Sequence, residues 1–273
     1  MVKIWTYSHI GNSRENQEDN YFIGRGKYLS PADRDRMPVE RKCKLDSCIT
    51  EQICCCVSDG MGGHSSGEVA SFLTVKYIDE NYDEIISEWF KSEQYIKDFV
   101  RNLNEYVCSK AENDFALVDM GATLCGVLMK DGKGLCFNVG DSRAYRINPE
   151  GIEQITVDNT EGQRLLNLGL LDEKELETFP KKKAIYKYIG KPIELVPDIY
   201  KIEGLKQGEF IAICSDGLSD VIEKEEIFDM MSKQFISTED KGKFLVEMAV
   251  ERKCDCGDNI TLILIEGWGD EVW

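Results

Sequence analysis

The sequence predicts a mixed α+β domain built in layers. Short apolar runs bounded by turn residues recur along the 273 residues, these strand candidates come in consecutive runs, and helical patterns come in pairs between them. A parallel α/β protein would alternate strand and helix strictly. Because no Pro- or Ser-rich linker and no fixed-period repeat divides the sequence, we expect residues 1–273 to form one domain.

The strand candidates are short runs of apolar, β-branched or aromatic residues. The clearest lie at 53–57, 123–129, 135–139, 144–147, 152–156, 210–214 and 260–265. The Asp-Gly-Lys-Gly sequence at 131–134 predicts a hairpin turn between two of them. The runs at 53–57 and 210–214 are apolar at every position, which predicts central strands that are buried on both faces.

Helical patterns lie between these strands. Ser66 can cap a helix over 67–86. A second helix is predicted to start near Ser92, because apolar residues recur at 3-4 spacing from Ile96 to Val107. Two shorter helices are predicted at 224–232 and 238–252.

Residues 25–52 are an unusual connection between two strand candidates. The segment is charged and contains Pro31 and Pro38. Compact domains rarely need so long a connection. We interpret it as a solvated insertion, with a specific docking loop as the alternative.

The composition excludes several classes of protein. A net charge of −17 repels nucleic acids and anionic lipids. No window approaches 18 consecutive apolar residues, and the N-terminus lacks the apolar core of a signal peptide. The 11 cysteines are an odd number and several lie in apolar runs, which is typical of reduced core thiols. We therefore expect a cytoplasmic protein without nucleic-acid or membrane partners.

Aspartates recur at the ends of predicted strands. The runs 53–57 and 210–214 are each followed by Ser-Asp-Gly, which places Asp59 and Asp216 at the ends of rigid elements. A glycine after each aspartate lets the backbone turn sharply and leaves its carbonyl accessible. A lone Asp-Gly is usually only a turn, but a matched pair at two buried strands is harder to explain in that way.

Three more carboxylates lie next to strand candidates. Asp258 precedes the strand at 260–265, and Glu18 and Asp19 precede a short one at 21–23. If these ends converge, the five carboxylates cannot all stay ionised without cations. Oxygen ligands suit Mg²⁺ or Mn²⁺. With two histidines in the chain, a histidine-rich zinc site is disfavoured.

These residues resemble the metal-dependent protein serine/threonine phosphatases of type 2C, the PPM family, particularly its bacterial branch. Six motifs carry the resemblance, in the family's order. They are Arg-Glu-Asn-Gln-Glu-Asp at 14–19, Val-Ser-Asp-Gly-Met-Gly-Gly-His at 57–64, Gly-Ala-Thr at 121–123, Val-Gly-Asp-Ser-Arg at 139–143, Cys-Ser-Asp-Gly-Leu at 214–218, and Gly-Asp-Asn-Ile-Thr at 257–261. The resemblance implies a four-layer α-β-β-α sandwich of two antiparallel sheets flanked by helices.

The resemblance also implies a site for two divalent cations, Mg²⁺ or Mn²⁺. Asp59 would bridge both ions, Asp216 and Asp258 would complete one site, and the carbonyl of Gly60 would join the second. Asp19 or Glu18 would serve that second ion, directly or through water, and the residues leave open which of them is closer.

Two further site residues follow from the resemblance. Arg14 is the expected phosphate clamp, since a guanidinium binds phosphate oxygens in a bidentate manner. Asp119 is a candidate ligand of a third, weaker metal site, with an exposed loop residue as the alternative. Asp141 and Arg143 are expected to hold structure near the site.

The implied activity is hydrolysis of phosphoserine and phosphothreonine in proteins, by water that the two cations activate. The resemblance implies that the partners are phosphorylated proteins, the substrates of a serine/threonine kinase, and we expect the chain to be a monomer. The alternatives are an inactive relative that binds phosphoproteins, and a two-metal phosphoesterase of small molecules.

The sequence departs from the family pattern at several positions. Met61 follows Gly60 where some members carry a histidine that acts as an acid, and His64 is expected to cap or pack near a helix start. Val-Asp-Asn-Thr at 157–160 replaces a more usual Asp-His-Ser at the entrance of the flap, residues 159–191. Three lysines at 181–183 form a solvated turn or a region that attracts phosphoproteins.

Overall fold

Two antiparallel sheets form the centre of the molecule in the computed structural model, which describes residues 1–40, 42–62, 66–112, 114–252 and 257–267. The strands are β1 (Val2–His9), β2 (Asn20–Phe22), β3 (Lys44–Thr50), β4 (Ile53–Ser58), β5 (Gly60–Met61), β6 (Gly121–Ala122), β7 (Leu124–Lys130), β8 (Lys133–Val139), β9 (Arg143–Asn148), β10 (Gly151–Gln154), β11 (Asp198–Glu203), β12 (Phe210–Cys214) and β13 (Ile260–Gly267). The helices are α1 (Pro31–Glu40), α2 (Ser66–Glu80), α3 (Tyr82–Glu88), α4 (Glu93–Ala111), α5 (Glu161–Asn167), α6 (Glu173–Thr178), α7 (Asp216–Ser219), α8 (Lys224–Met231) and α9 (Thr238–Arg252).

The two large sheets differ in strand order. One runs β10-β9-β12-β13-β1-β3 and the other β11-β8-β7-β4-β2, while β5 and β6 form a small separate ribbon. Neighbouring strands in each sheet are antiparallel, as in β4 with β7 and β12 with β13. Strand β4 ends two residues before the ribbon begins at Gly60, and the end of β12 pairs with the start of β13, where Cys214 lies opposite Leu262.

Every residue of the two central strands is buried, with side chains packed alternately on the two faces of the sheet, which explains their unbroken apolar sequence. Ile53, Cys55 and Val57 of β4 face the core between the sheets, together with Ile211 and Ile213 of β12. The intervening side chains of β4 pack under α2, α3 and α4, and those of β12 pack under α7, α8 and α9. Each sheet is thus covered on both faces, which confirms the four-layer α-β-β-α sandwich.

The 25–52 segment differs from the expected solvated insertion. It contains α1 and β3, and β3 extends the six-stranded sheet by pairing with β1. Leu29 and Met37 are buried in the core between the sheets, and the amide nitrogen of Leu29 donates to Oδ1 of Asn20. Of the two prolines that suggested a loop, Pro31 suits this helix because it occupies the first position, whereas Pro38 lies inside the helix.

The helix predictions agree with the structure except at one junction and at Ser66, which is the first residue of α2 and not its cap. Ser92 caps α4 by accepting a hydrogen bond from the amide nitrogen of Tyr95 at 3.2 Å, and the predicted apolar stripe is buried. The single helix expected over 67–86 is divided at Asn81, whose side chain donates to the carbonyl of Tyr77. In the part of the chain that the structure describes, no helix has the length and apolar character needed to cross a membrane.

Candidate active site

Asp59 leaves the end of β4 with its backbone clamped by Thr123. The amide nitrogen of Asp59 donates to Oγ1 of Thr123 at 2.9 Å, and the amide nitrogen of Thr123 donates to the carbonyl of Asp59 at 2.8 Å. Oγ1 of Thr123 also lies 2.7 Å from Oγ of Ser142. The Gly-Ala-Thr and Gly-Asp-Ser-Arg motifs therefore fix the main chain that carries Asp59.

Gly60 and Gly217 are required because other backbone atoms approach them closely. A Cβ at Gly60 would lie 2.1 Å from the carbonyl oxygen of Gly67 and 2.6 Å from that of Glu18. A Cβ at Gly217 would lie 1.9 Å from the carbonyl oxygen of Asn259. Neither glycine has a positive φ, so the sharp turn expected from the sequence is the wrong reason for them.

Asp19 is fully buried and joins three strand ends. Its Oδ2 accepts a hydrogen bond from Oγ of Ser215 at 2.7 Å, and that hydroxyl accepts from the amide nitrogen of Thr261 at 2.9 Å. Ser215 precedes α7 but does not cap it, since its hydroxyl is engaged by Asp19. The other carboxylate oxygen of Asp19, Oδ1, is buried without a hydrogen-bond partner.

Asn259 holds the loop that carries Glu18. Its Oδ1 accepts from the amide nitrogen of Glu18 at 2.7 Å, while its Nδ2 donates to the carbonyls of Ile10 and Asn16 at 2.9 and 3.0 Å. The sequence placed Asn259 in a motif without giving it a role. Its position directly after Asp258 was the available signal. The Glu18 side chain itself is half-buried.

Arg14 and Asp258 form an ion pair at the rim. Nη2 of Arg14 donates to Oδ2 of Asp258 at 2.8 Å, and the side chains are 47% and 33% exposed. This hydrogen bond raises the pKa of Arg14. The predicted phosphate clamp therefore lies in contact with a predicted metal ligand.

Neighbouring carboxylates raise the pKa values of Asp59 and Asp19. Burial raises the pKa of Asp59 well above its usual range, and the charges of Asp19, Asp216, Asp141 and Asp258 raise it further. Burial likewise raises the pKa of Asp19 to about 7, although hydrogen bonds from hydroxyl groups oppose the shift. These residues, far apart in sequence, thus share one electrostatic environment.

The donor set fits hard divalent cations. It consists of carboxylate oxygens, and it includes Oδ1 of Asp19, which is buried without a hydrogen-bond partner. Among the described residues, no three His, Cys, Asp or Glu side chains already have the spacing of a closed metal site. Mutual repulsion and the engagement of Asp258 by Arg14 are consistent with an open arrangement.

Among the residues that the structure describes, no hydrogen bond or ion pair joins the Asp119 side chain to this carboxylate group. It lies in an exposed loop and has a φ of 65°, in the left-handed region. Its backbone carbonyl faces Gly62, where a Cβ would lie 3.5 Å away. The third metal site stays a prediction, and His64 lies outside the described residues.

The flap contacts the body next to Asp216. Arg143 donates from Nε and Nη2 to both oxygens of Asp158, at 3.0 and 2.6 Å. Lys183 pairs with Asp220 at the end of α7. These side chains line a cavity of about 170 Å³ that also includes Asp216. The three lysines at 181–183 lie in an exposed turn, as expected, and Lys183 also pairs with the body while its side chain stays 62% exposed.

Known proteins similar to this chain agree on one family. The family model described as Protein phosphatase 2C matches residues 42–250. Protein phosphatase PhpP of Streptococcus pneumoniae is 31% identical over 216 residues, which are 77% of this chain and 83% of that protein.

Solved structures show the same fold. The serine/threonine phosphatase of S. agalactiae superposes with a TM-score of 0.82 at 23% identity, covering 98% of this chain and 100% of that one. The catalytic domain of the phosphatase PstP, solved in complex with 2 manganese ions, has a TM-score of 0.72 at 23% identity and covers 97% and 99% of the two chains. From the matched family model and the identity to PhpP, the chain belongs to the protein phosphatase 2C family.

Proposed function

We propose that this chain is a protein serine/threonine phosphatase that hydrolyses phosphoserine and phosphothreonine with the help of two divalent cations, Mg²⁺ or Mn²⁺. The observation that carries the proposal is the electrostatic coupling of Asp59 with Asp19, Asp216 and Asp258 at one end of the sandwich. An inactive relative would be expected to lack these carboxylates. The names of the relatives support a phosphoprotein as the substrate.

We assign the carboxylates the roles that the family resemblance implies. Asp59 would contact both cations, with Asp216 and Asp258 serving one of them, and the Gly60 carbonyl and Asp19 serving the other. The orphaned Oδ1 of Asp19 supports its role. When bound, the cations supply Lewis acidity that polarises the phosphoryl oxygens and lowers the pKa of water. The clamped backbone of Asp59 and the hydrogen bond from Ser215 to the Asp19 side chain keep these ligands oriented before substrate arrives.

Arg14 would bind the substrate phosphate. It is exposed at the rim, and its guanidinium can offer two parallel N–H donors to phosphate oxygens. Asp258 holds the guanidinium until that carboxylate is needed as a ligand. The Arg14 side chain would then turn to the phosphate and orient the phosphorus towards the attacking water.

The partners and the cellular setting extend the same proposal. We infer that the substrates are phosphorylated proteins produced by a serine/threonine kinase, and that the chain acts as a cytoplasmic monomer. The relatives' names support the phosphoprotein class. The net charge of −17 supports solubility over binding to nucleic acid.

A phosphoserine peptide assay tests the proposal. We expect phosphate release with Mn²⁺, loss of release in excess chelator, and a loss of roughly 10³-fold in Asp59→Asn. Asp229→Asn is the matched control, since Asp229 is exposed on α8. Full turnover in chelator, or an active Asp59→Asn variant, would reject the mechanism.

A further inference from the structure

A buried arginine from the 25–52 segment contacts the main chain that carries Asp19. Arg34 belongs to α1 and is only 7% exposed. Its Nη2 donates to the carbonyl oxygen of Asp19 at 3.1 Å and to Oγ of Ser71 at 2.8 Å. Its Nη1 donates to the carbonyl oxygen of Glu68. One guanidinium therefore connects the segment that carries Asp19 to the first turns of α2.

The same contacts extend to Gly60. Oγ of Ser71 donates to the carbonyl oxygen of Glu18, and this carbonyl also accepts from the amide nitrogen of Gly60 at 3.1 Å. Gly60 itself is packed between the carbonyls of Glu18 and Gly67. The position of the Gly60 carbonyl, the proposed ligand of the second cation, thus depends on two segments that Arg34 ties together.

The charge of Arg34 is retained in this position. Burial lowers the pKa of Arg34 to about 10, against the charges of Glu68, Asp19 and Glu18, which raise it. The side chain is therefore a cation at neutral pH. Among the described residues, its hydrogen-bond partners are two carbonyls and a hydroxyl, so its planar guanidinium determines the positions of backbone atoms.

Two effects of Arg34 on a divalent cation oppose each other. Its positive charge repels the cation, whereas its hydrogen bonds hold the backbone of Asp19 and Glu68 in place. Groups that orient metal ligands typically change metal affinity by roughly 10- to 100-fold. Substitutions that separate charge from geometry can decide which effect is larger.

We propose that Arg34 is a positioning residue of the phosphatase site, and that its hydrogen bonds to the backbone of Asp19 and Glu68 increase the affinity for divalent cations. The inference rests on the proposed function, because it assumes that Asp19 and Gly60 serve a cation. It also assigns a role to the 25–52 segment, which brings the guanidinium to the site.

Calorimetric titration with Mn²⁺ alone tests the inference without any substrate. Arg34→Lys keeps the charge and loses the fork, and Arg34→Met loses both. We expect both variants to bind Mn²⁺ roughly 10- to 100-fold more weakly. Arg36→Met is the matched control, because Arg36 is exposed on the same helix, and its affinity should equal that of the wild type.

The opposite result is equally specific. If charge repulsion were the larger effect, Arg34→Met would bind Mn²⁺ more tightly and Arg34→Lys would match the wild type. Either finding overturns the proposal.

Ser71→Ala provides a milder variant should Arg34 substitutions fail to fold. It removes one acceptor of Arg34 and the donor to Glu18, and we expect roughly fivefold weaker Mn²⁺ binding. Unchanged affinity in that variant would also contradict the role.

Kinetics separate positioning from general destabilisation. In Arg34→Lys, measured well below its unfolding temperature, saturating Mn²⁺ should restore kcat while the KM for phosphopeptide stays unchanged. A kcat that stays low at saturating Mn²⁺ would contradict a role in cation affinity.

A wild-type chain that binds no Mn²⁺ would remove the proposed function itself. A wild type that binds Mn²⁺ as tightly as Arg34→Lys does would remove only this inference.

Discussion

Two arginine–aspartate pairs near the site have the same chemistry but different surroundings. Arg143 binds both oxygens of Asp158, and the side chains are 27% and 12% exposed. Arg14 makes one described hydrogen bond to Asp258, and the side chains are 47% and 33% exposed. The difference indicates that the first pair holds structure, whereas the second can exchange partners.

The neighbours of each pair support this distinction. Burial opposes the charge of Arg143, but the hydrogen bonds to Asp158 outweigh it and raise the pKa of Arg143. Asp158 also accepts from Nε2 of Gln154 at 3.2 Å, which fixes it further at the flap entrance. Arg14 lies instead in the loop between β1 and β2, next to carboxylates that we propose bind cations.

We expect the largest effect from a substitution that breaks the Arg14–Asp258 pair. We expect Arg14→Ala to lower kcat/KM for a phosphoserine peptide by roughly 10- to 100-fold, since charge-assisted hydrogen bonds contribute about 1.5–3 kcal/mol. Steady-state kinetics at saturating Mn²⁺ measure it. Arg14→Lys should recover part of the loss because it keeps the charge. An unchanged kcat/KM in Arg14→Ala would show that another group binds the phosphate.

The Arg143–Asp158 pair should contribute to the free energy of unfolding. Arg143→Met leaves Asp158 without its ion-pair partner, and we expect the free energy of unfolding to fall by about 2 kcal/mol, less than for a fully buried pair. Urea unfolding measures it. Arg14→Ala, the exposed counterpart, should change the same quantity by less than about 0.5 kcal/mol. Equal losses in both variants would contradict the comparison.

Removing negative charge should stabilise the metal-free site. In chelator, we expect Asp59→Asn to raise the free energy of unfolding by about 1 kcal/mol, because burial and four neighbouring carboxylates oppose the charge of Asp59. Thermal unfolding with and without Mn²⁺ measures it. The same variant should lose the stabilisation that Mn²⁺ gives the wild type. Lower stability than the wild type in chelator would argue against this repulsion.

The smallest expected effect concerns competition for Asp258. If Arg14 holds a carboxylate that a cation needs, Arg14→Ala should bind Mn²⁺ about two- to threefold more tightly, as expected for an exposed ion pair. Calorimetry without substrate measures it. Arg143→Met should leave the Mn²⁺ affinity unchanged, since Asp158 is not a proposed ligand. Weaker Mn²⁺ binding in Arg14→Ala would show that the guanidinium organises Asp258 instead of competing for it.

Elements with a strong local signal could be predicted from the sequence. The strand at 210–214 matches β12 to the residue, because a strand buried on both faces is apolar throughout. Strand β1 was missed, since Thr6 and Ser8 interrupt its apolar pattern although both are buried. Helix α6 was also missed, despite the capping box formed by Asp172 and Glu175.

The site could be predicted only as a set of carboxylates. Motifs identified Asp59 and Asp216, but nothing local links Asp19 to Ser215, which lies 196 positions away. Arg34 was missed for the same reason, because its partners are backbone carbonyls that only the tertiary fold brings near. Hydrogen bonds of this kind leave no periodic pattern in a sequence.

The two glycines that admit no Cβ have a consequence for redesign. Where Gly60 meets Gly67 and where Gly217 meets Asn259, main-chain atoms touch without any side chain between them. The separation of those segments is therefore set by van der Waals radii of the polypeptide itself. Surrounding side chains can be exchanged to alter substrate preference, while the spacing of the two strand ends keeps its value.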